Sequence, residues 1–174
     1  MLRIRVFDLE CTGFDAPEHS PCEIAFCDLV SLRRDLAGAP TDWRVQGGVG
    51  YLCNPLRPIP QETSAIHHII DADVEDMMLW PEVLECLTGE HNIGRGVIYA
   101  AHNAKFERQW ITDDLTGAAP WICTYKCALR LWPEAPSHSN QALRYWRLPQ
   151  GLDRAVANVA HRAYPDAYVS AFLL

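Results

Sequence analysis

Hydrophobic and polar positions alternate along the first third of the chain in a pattern that is typical of β-strands. Short apolar runs bounded by turn-forming residues predict strands at residues 3–9, 22–30 and 49–53. Residues 32–48 contain three glycines and a proline, so we expect a long hairpin connection or a surface loop there. The proline-rich segment 55–60 is expected to be extended, because a proline biases the residue before it away from helix.

The rest of the chain shows longer patterns, which favour helices. Predicted helices cover residues 61–67, 72–78, 81–88, 103–113, 124–131 and 140–146, and a last helix ends at Leu174. Asp71 is a candidate cap for the second helix, and Pro81 fits the first turn of the third. The apolar run 97–101 predicts one more short, buried strand. This order of elements predicts an α/β fold with a mixed central β-sheet flanked by helices.

The chain is expected to form one domain, residues 1–174, because no repeat, low-complexity tract or linker interrupts it. It has no run of about 18 apolar residues and no apolar region of the signal-peptide kind, so we expect a cytoplasmic protein without a membrane partner. The seven cysteines are odd in number and mostly lie in apolar segments, which favours reduced thiols. A zinc site at Cys123, Cys127 and His138 is disfavoured, since the spacing is irregular and a fourth ligand is missing.

The net charge of −7 is unevenly distributed. Residues 1–99 hold 7 basic and 16 acidic side chains, whereas residues 100–174 hold 8 basic and 6 acidic ones. Nucleic-acid binders are usually basic, so the overall sign argues against a high-affinity duplex binder. An enzyme that binds the end of a nucleic-acid strand locally, through its more basic second half, fits this balance.

The first predicted strand ends in two carboxylates, Asp8 and Glu10. Side chains two residues apart on a strand point to the same face, so both carboxylates project together, opposite Phe7 and Leu9. Buried carboxylates repel each other and lose hydration, which is costly without a cation, and hard oxygen ligands suit Mg²⁺ or Mn²⁺. A polar strand end that faces water is the alternative interpretation of this pair alone.

A second polar cluster, residues 102–107, lies where the predicted strand 97–101 enters a helix. Asn103 can cap that helix, which is its ordinary structural role. Glu107 comes one turn later, so its side chain can reach back to the end of the strand.

A third cluster, residues 161–167, lies at the start of the last predicted helix. Pro165 is tolerated in a first turn, where its missing N–H has no partner to lose. His161 and Asp166 are five residues apart and would not share one helix face. We therefore expect His161 in the loop before the helix, free to approach the same site; a capping or surface histidine is the alternative.

Three ordered motifs in this sequence resemble those of the DEDDh family of 3′–5′ exonucleases, the proofreading-subunit type with an RNase H-like fold. The motifs are Phe7-Asp8-Leu9-Glu10-Cys11-Thr12-Gly13, His102-Asn103-Ala104-Lys105-Phe106-Glu107 and His161-Arg162-Ala163-Tyr164-Pro165-Asp166-Ala167. Residues 64–69 resemble the segment before the middle motif, and residues 121–145 resemble the exonuclease X branch of the family. The resemblance covers nearly the whole chain, with one departure: the middle motif of the family ends in Asp, and here it ends in Glu107.

This resemblance implies two-metal phosphodiester hydrolysis, with two divalent ions, Mg²⁺ or Mn²⁺, as cofactors. It assigns Asp8, Glu10 and Asp166 to one ion, with Asp8 bridging to the second, and Glu107 acting mostly through water. It makes His161 the general base, since a histidine ordinarily titrates near neutral pH. One added methylene moves the carboxylate of Glu107 by about 1.5 Å relative to an Asp.

The resemblance implies a nucleic-acid 3′ end as substrate, with candidate contacts from Thr12, Gly13, Phe14, His67 and Asn103. Single-stranded or 3′-terminal DNA is the favoured substrate, because the scissile bond must reach a recessed site and stacking tolerates any base. RNA is an alternative that the sequence does not separate, since sensing a 2′-hydroxyl depends on pocket shape. A nucleic-acid-binding or proofreading module with an impaired site is the other alternative, and a homodimer or a polymerase partner stays open.

Overall fold

A mixed five-stranded β-sheet forms the centre of the computed structural model, which describes residues 2–89 and 97–174. In chain order the strands are β1 (Arg3–Cys11), β2 (Pro21–Arg34), β3 (Pro40–Leu52), β4 (Ile98–Ala101) and β5 (Trp121–Cys123). Their order across the sheet is β3-β2-β1-β4-β5. The central strand β1 pairs antiparallel with β2 and parallel with β4, so the predicted mixed sheet is confirmed.

Helices surround the sheet and occupy most of the second half of the chain. They are α1 (Gln61–His67), α2 (Asp71–Val74), α3 (Trp80–Gly89), α4 (Ala104–Glu107), α5 (Asp113–Thr116), α6 (Thr124–Leu131), α7 (Asn140–Arg147), α8 (Arg154–Ala157) and α9 (Ala163–Phe172). Within the described residues, no helix is both long enough and apolar enough to span a bilayer.

Strand β1 divides its side chains between two cores. Phe7 and Leu9 belong to the larger apolar cluster on one face of the sheet. Ile4 and Val6 lie on the other face, in the cluster covered by α9. Because side chains alternate along a strand, Asp8 and Glu10 continue the line of Ile4 and Val6. The predicted two-sided character of this strand is confirmed.

Helix α9 packs closely on the sheet because its buried face is made of small residues. Ala167 and Ala171 are fully or almost fully buried against Ile4 and Val6 of β1. Small side chains let the helix approach the strand closely. This packing carries the first turn of α9, and with it Asp166, to the end of β1.

The prediction that residues 32–48 form a long hairpin connection or a surface loop is wrong. Strand β2 continues to Arg34 and β3 begins at Pro40, so only a short turn separates them. The glycines suggested a loop, but Gly48 is needed inside the strand, because a side chain there would collide with the Phe26 carbonyl oxygen beside a register shift at Cys27. Tertiary packing therefore overrides the local signal.

The predicted helix over residues 103–113 is also wrong in extent. Helix α4 ends at Glu107, and an irregular turn follows, in which the amides of Trp110 and Ile111 both bond to the Glu107 carbonyl. Both Trp110 and Ile111 are buried in the main core, which fixes this turn. Asn103 stands at the N-cap position of α4, yet its side chain makes no capping bond.

Two smaller predictions need correction. Asp71 is the first residue of α2 rather than its cap, and its carboxylate accepts a hydrogen bond from the Ile59 amide. The predicted helix over residues 72–78 is correspondingly short, ending at Val74. Strand β5 and helix α8 were not predicted, because a three-residue strand and a four-residue helix have too few residues for a periodic pattern.

Candidate active site

Three carboxylates meet where β1 and the first turn of α9 come together. One carboxylate oxygen from each of Asp8, Glu10 and Asp166 can be chosen so that all three lie within 4.8 Å of one another. They line a pocket of about 630 Å³. The sequence predicted that these residues form one site, and the fold brings them together.

Burial makes this cluster unfavourable in its fully ionised form. Burial raises the pKa of Glu10 to about 8, and the charges of Asp166 and Glu23 add to this rise, while Arg162 opposes it. Burial and the charge of Glu10 raise the pKa of Asp8 well above its ordinary value. Groups that must be ionised together but are desolvated together need a positive charge between them. Hard carboxylate oxygens in this arrangement fit Mg²⁺ or Mn²⁺.

The carboxylate of Asp166 is held in a fixed orientation. Its Oδ1 accepts a hydrogen bond from Gln141 Nε2 at 2.7 Å, and its Oδ2 accepts one from the His161 amide at 2.8 Å. Burial raises the pKa of Asp166, and these two donors oppose the rise. Each oxygen keeps a lone pair, so the fixed carboxylate can still bind a cation.

Glu107 lines the same pocket from α4, outside the set of three carboxylates. Its side chain is buried, with 3% of its surface exposed, and burial raises its pKa to about 8. Its charge also raises the pKa of Asp8 and of Glu10, so the groups sense one another. Oε2 of Glu107 is buried without a hydrogen-bond partner among the described residues, which is unusual for a carboxylate oxygen. An ion or its hydration shell in this pocket would satisfy that oxygen, so Glu107 fits a metal site.

His161 lies in the loop before α9, as the sequence predicted, and it is exposed at the edge of the pocket. Its backbone has a φ of 57°, in the left-handed region that disfavours most residues with side chains. The bond from its amide to Asp166 fixes this conformation from one side. Therefore the backbone of His161 is held while its imidazole stays at the open side of the pocket.

An ion pair that the sequence analysis missed holds the other side of this loop. Arg162 donates to both carboxylate oxygens of Glu23, at 2.9 and 2.6 Å, and the Ala163 amide donates to the same carboxylate at 2.9 Å. We call Asp8, Glu10 and Asp166 the metal-type cluster. Glu23 pairs with Glu10 in the β1–β2 register, which places this ion pair beside that cluster. The sequence signal for this ion pair was Glu23, a charged residue inside the apolar run 22–30.

His102 is the second histidine in the pocket wall, and its ring is already engaged. Nε2 lies 2.8 Å from the His138 carbonyl, so it carries the proton, and Nδ1 lies 2.9 Å from the Thr124 hydroxyl. Burial lowers the pKa of His102, which keeps it neutral. His102 therefore has no free nitrogen with which to take a proton from a reactant.

Four of the five predicted substrate contacts line the pocket: Gly13, Phe14, His67 and Asn103. Phe14 projects with 74% of its surface exposed. His67 is buried, its Nδ1 accepts the Ile69 amide, and burial lowers its pKa, so it acts as a neutral part of the wall. Thr12 lies outside the pocket lining, because its buried hydroxyl accepts the Ser20 amide and contacts His19. The side chain of Thr12 thus holds the loop after β1.

Comparison with known proteins decides the family. The family model described as "Exonuclease", of the RNase T type, matches residues 6–174. The chain belongs to this exonuclease family. The matched range spans the positions of all four carboxylates and of His161. The predicted RNase H-like fold and the predicted family are therefore confirmed.

Individual relatives agree with this membership. Exodeoxyribonuclease 10 of Escherichia coli K12 is 32% identical over an alignment of 176 positions, which covers 98% of this chain and 66% of the relative. This chain thus spans slightly less than two thirds of that protein. The solved structure of exonuclease X in complex with duplex DNA carrying a 5′ overhang is 31% identical, with a TM-score of 0.67. The superposition covers 99% of this chain and 88% of the exonuclease X chain.

A more distant solved structure shares the fold. The zinc-bound complex of Escherichia coli exonuclease I with single-stranded DNA has a TM-score of 0.70 at 12% identity. The superposition covers 98% of this chain and 39% of the exonuclease I chain.

Proposed function

We propose that this protein is a metal-dependent 3′–5′ exodeoxyribonuclease that releases nucleoside monophosphates from DNA 3′ ends. The observation that carries this proposal is the meeting of Asp8, Glu10 and Asp166 within 4.8 Å, beside an exposed His161, in a member of an exonuclease family. Isolated acidic clusters have many roles, but this one adds a fourth buried carboxylate, Glu107, in the same pocket.

The four carboxylates are the residues that would hold the cofactor. Two bound divalent ions, Mg²⁺ or Mn²⁺, would activate a water molecule and stabilise the leaving 3′-oxygen of the cleaved phosphodiester. Asp8, Glu10 and Asp166 are close enough to hold an ion together, and the charges of Glu10, Asp166 and Glu107 all act on Asp8. Glu107 would contribute from α4, where its buried Oε2 has no partner among the described residues.

His161 is the residue that takes the proton from the attacking water. Its side chain is exposed at the pocket, whereas both ring nitrogens of His102 are engaged. The Asp166 carboxylate holds the His161 amide, so the histidine and the metal-type cluster keep a fixed spacing. General base catalysis of this kind typically contributes about 10²–10⁴-fold to the rate.

The rim of the pocket is suited to the terminal nucleotide. Phe14 and Ile66 are exposed apolar side chains at the rim, with 74% and 48% of their surfaces accessible, and can stack on a base of any sequence. The Phe14 loop is fixed, since Gln109 accepts a bond from the Ala16 amide and donates one to the Phe14 carbonyl. DNA is favoured over RNA because the relative of 32% identity is named an exodeoxyribonuclease and the exonuclease X structure contains DNA.

Hydrolysis of end-labelled oligonucleotides tests this function. Matched DNA and RNA strands, labelled at the 5′ or the 3′ end, are incubated with Mg²⁺, Mn²⁺ or EDTA, with an Asp8→Asn variant as the control. We expect stepwise shortening of DNA from the 3′ end with either ion and none in EDTA. Faster shortening of RNA would transfer the proposal to an exoribonuclease. No hydrolysis with any ion would favour a binding module and overturn the proposal.

A further inference from the structure

A second cavity, of about 750 Å³, shares no lining residue with the active-site pocket. We call it the basic groove. It is lined by residues 104, 105, 108, 109, 112 and 113 after β4, by β5, and by residues 126, 127 and 130 of α6. Its position along β5 places it at one edge of the sheet.

The groove is positive in a chain that is otherwise acidic. Lys105, Arg108, Lys126 and Arg130 line it, against one carboxylate, Asp113, which leaves an excess of three positive charges. All four cations are exposed. Arg108 bonds to Asp113 at 2.9 and 3.1 Å, but an exposed pair of this kind contributes little and is easily exchanged for another anion. The groove therefore offers a polyanion several cations on one surface.

The groove and the active-site pocket lie on different faces of α4: Phe106 and Glu107 line the pocket, whereas Lys105 and Arg108 line the groove. Asn103 lines the pocket and Lys105 lines the groove. They are two residues apart in the chain, so their Cα atoms are at most about 7.6 Å apart. Gln109 lines the groove and also holds the Phe14 loop at the rim of the pocket. Asn103 and Lys105 are both exposed, so a strand that leaves the pocket across this end of α4 would reach the groove.

We propose that the basic groove binds the phosphodiester backbone of the substrate strand, on the 5′ side of its terminal nucleotide. This inference rests on the proposed exonuclease function and adds a second contact region to it. Lysine and arginine contacts to phosphates are independent of base sequence, which suits an enzyme that shortens any strand. The groove holds the strand, and the carboxylate pocket receives its end.

A double variant, Lys105→Gln with Lys126→Gln, tests the groove. Both substitutions remove charge and keep most of the side-chain stem, and neither residue belongs to the proposed catalytic machinery. The first substrate is the nitrophenyl ester of thymidine 5′-monophosphate, which occupies only the terminal position. The second is a single-stranded thymidylate of twenty nucleotides. Its binding is also measured by fluorescence anisotropy in Ca²⁺, so binding is determined whether or not hydrolysis occurs.

We expect the double variant to bind the long strand roughly tenfold more weakly at 50 mM salt. The slope of log affinity against log salt should become shallower by about 0.7 for each lost phosphate contact. Hydrolysis of the nitrophenyl ester should stay within about twofold of the parent. A control variant, Arg33→Gln with Arg34→Gln on the β2–β3 hairpin, removes the same charge from the opposite edge of the sheet.

Three results would overturn the inference: unchanged anisotropy and salt slope, an equal loss in the hairpin control, or an equal loss on the nitrophenyl ester. The second would indicate an effect of net charge alone, and the third an effect on the catalytic pocket. Failure of the parent protein to hydrolyse either substrate would overturn the proposed function instead. In that case the anisotropy comparison still decides whether the groove binds the strand.

Discussion

Gln141 donates a 2.7 Å hydrogen bond from its amide nitrogen to Oδ1 of Asp166, while its own amide oxygen accepts one from Arg144 at 3.0 Å. Arg144 is buried, and its other bonds go to the Ala157 carbonyl and the Asn158 side chain, with no carboxylate partner among the described ion pairs. A buried cation without a paired anion is costly. Gln141 links this cation to the Asp166 carboxylate through two hydrogen bonds.

Replacing Gln141 by Leu should weaken metal binding and activity. Asp166 would lose the donor that orients it, and Arg144 would lose one acceptor. Loss of a residue that orients a metal ligand typically costs about 10–100-fold in metal affinity or activity. The measurement is the Mn²⁺ concentration that gives half-maximal hydrolysis. Gln46→Leu, at an exposed position of β3, is the matched control, and an equal Mn²⁺ dependence in all three proteins would contradict the prediction.

Replacing Asp8 by Asn should abolish hydrolysis while keeping the fold. The substitution preserves shape but removes a ligand oxygen and a buried charge that the cluster disfavours. In EDTA at pH 8, the variant should therefore melt at or above the temperature of the parent. It should also lose most of the rise in melting temperature that Mn²⁺ gives the parent. A variant that melts in EDTA at a lower temperature than the parent would show that Asp8 has a structural role.

The stability of the metal-free protein should fall as the pH rises from about 5 to 8. Glu10 has an ordinary pKa of 4.5 and a pKa of about 8 in the fold, so over this range the folded state keeps a proton that the unfolded chain loses. The unfolded state is therefore favoured as the pH rises, and the loss is complete above the folded pKa. Melting temperatures in EDTA should decline across this range, and Glu10→Gln should flatten the decline. Mn²⁺ should raise the melting temperature most near pH 8. A melting temperature of the metal-free parent that does not change between pH 5 and 8 would contradict the prediction.

Replacing His161 by Gly should reduce turnover by roughly 10²–10⁴-fold while leaving metal binding intact. Glycine accepts the φ of 57° without strain, so the variant removes the imidazole and keeps the loop. Added imidazole should restore part of the rate, as expected when a base has been removed. His68→Gly is the matched control, because His68 is exposed and has a φ of 61°. Full activity of His161→Gly would remove histidine from the mechanism.

Replacing Glu107 by Asp should not accelerate the enzyme, and Glu107→Ala should be nearly inactive. The longer side chain already presents an unpaired Oε2 within the pocket wall, and shortening it withdraws the carboxylate by about 1.5 Å. Single-turnover rates at saturating Mn²⁺ measure the effect. A Glu107→Asp variant more than about tenfold faster, equivalent to about 1.4 kcal/mol of barrier, would show instead that the parent site is impaired.

Sequence patterns predicted the features of this site that depend on local periodicity. Asp8 and Glu10 share a face because a strand alternates its side chains. The five-residue spacing of His161 and Asp166 puts them on different faces of a helix, which predicted that His161 lies before α9. Features that depend on register or on distant packing were not predictable in the same way. Glu23 reaches the site through the β1–β2 pairing, and Gln141 reaches it because α7 packs beside α9.

The ligands of the metal-type cluster come from opposite ends of the folded chain: two from β1 and the third from α9. Until α9 docks on the first strand, a growing polypeptide can bring together at most three of the four carboxylates, because Asp166 is on α9 and His161 directly precedes it. A partly synthesised or partly unfolded chain therefore lacks the complete site. The docking of α9 completes the site and the second apolar core in the same step.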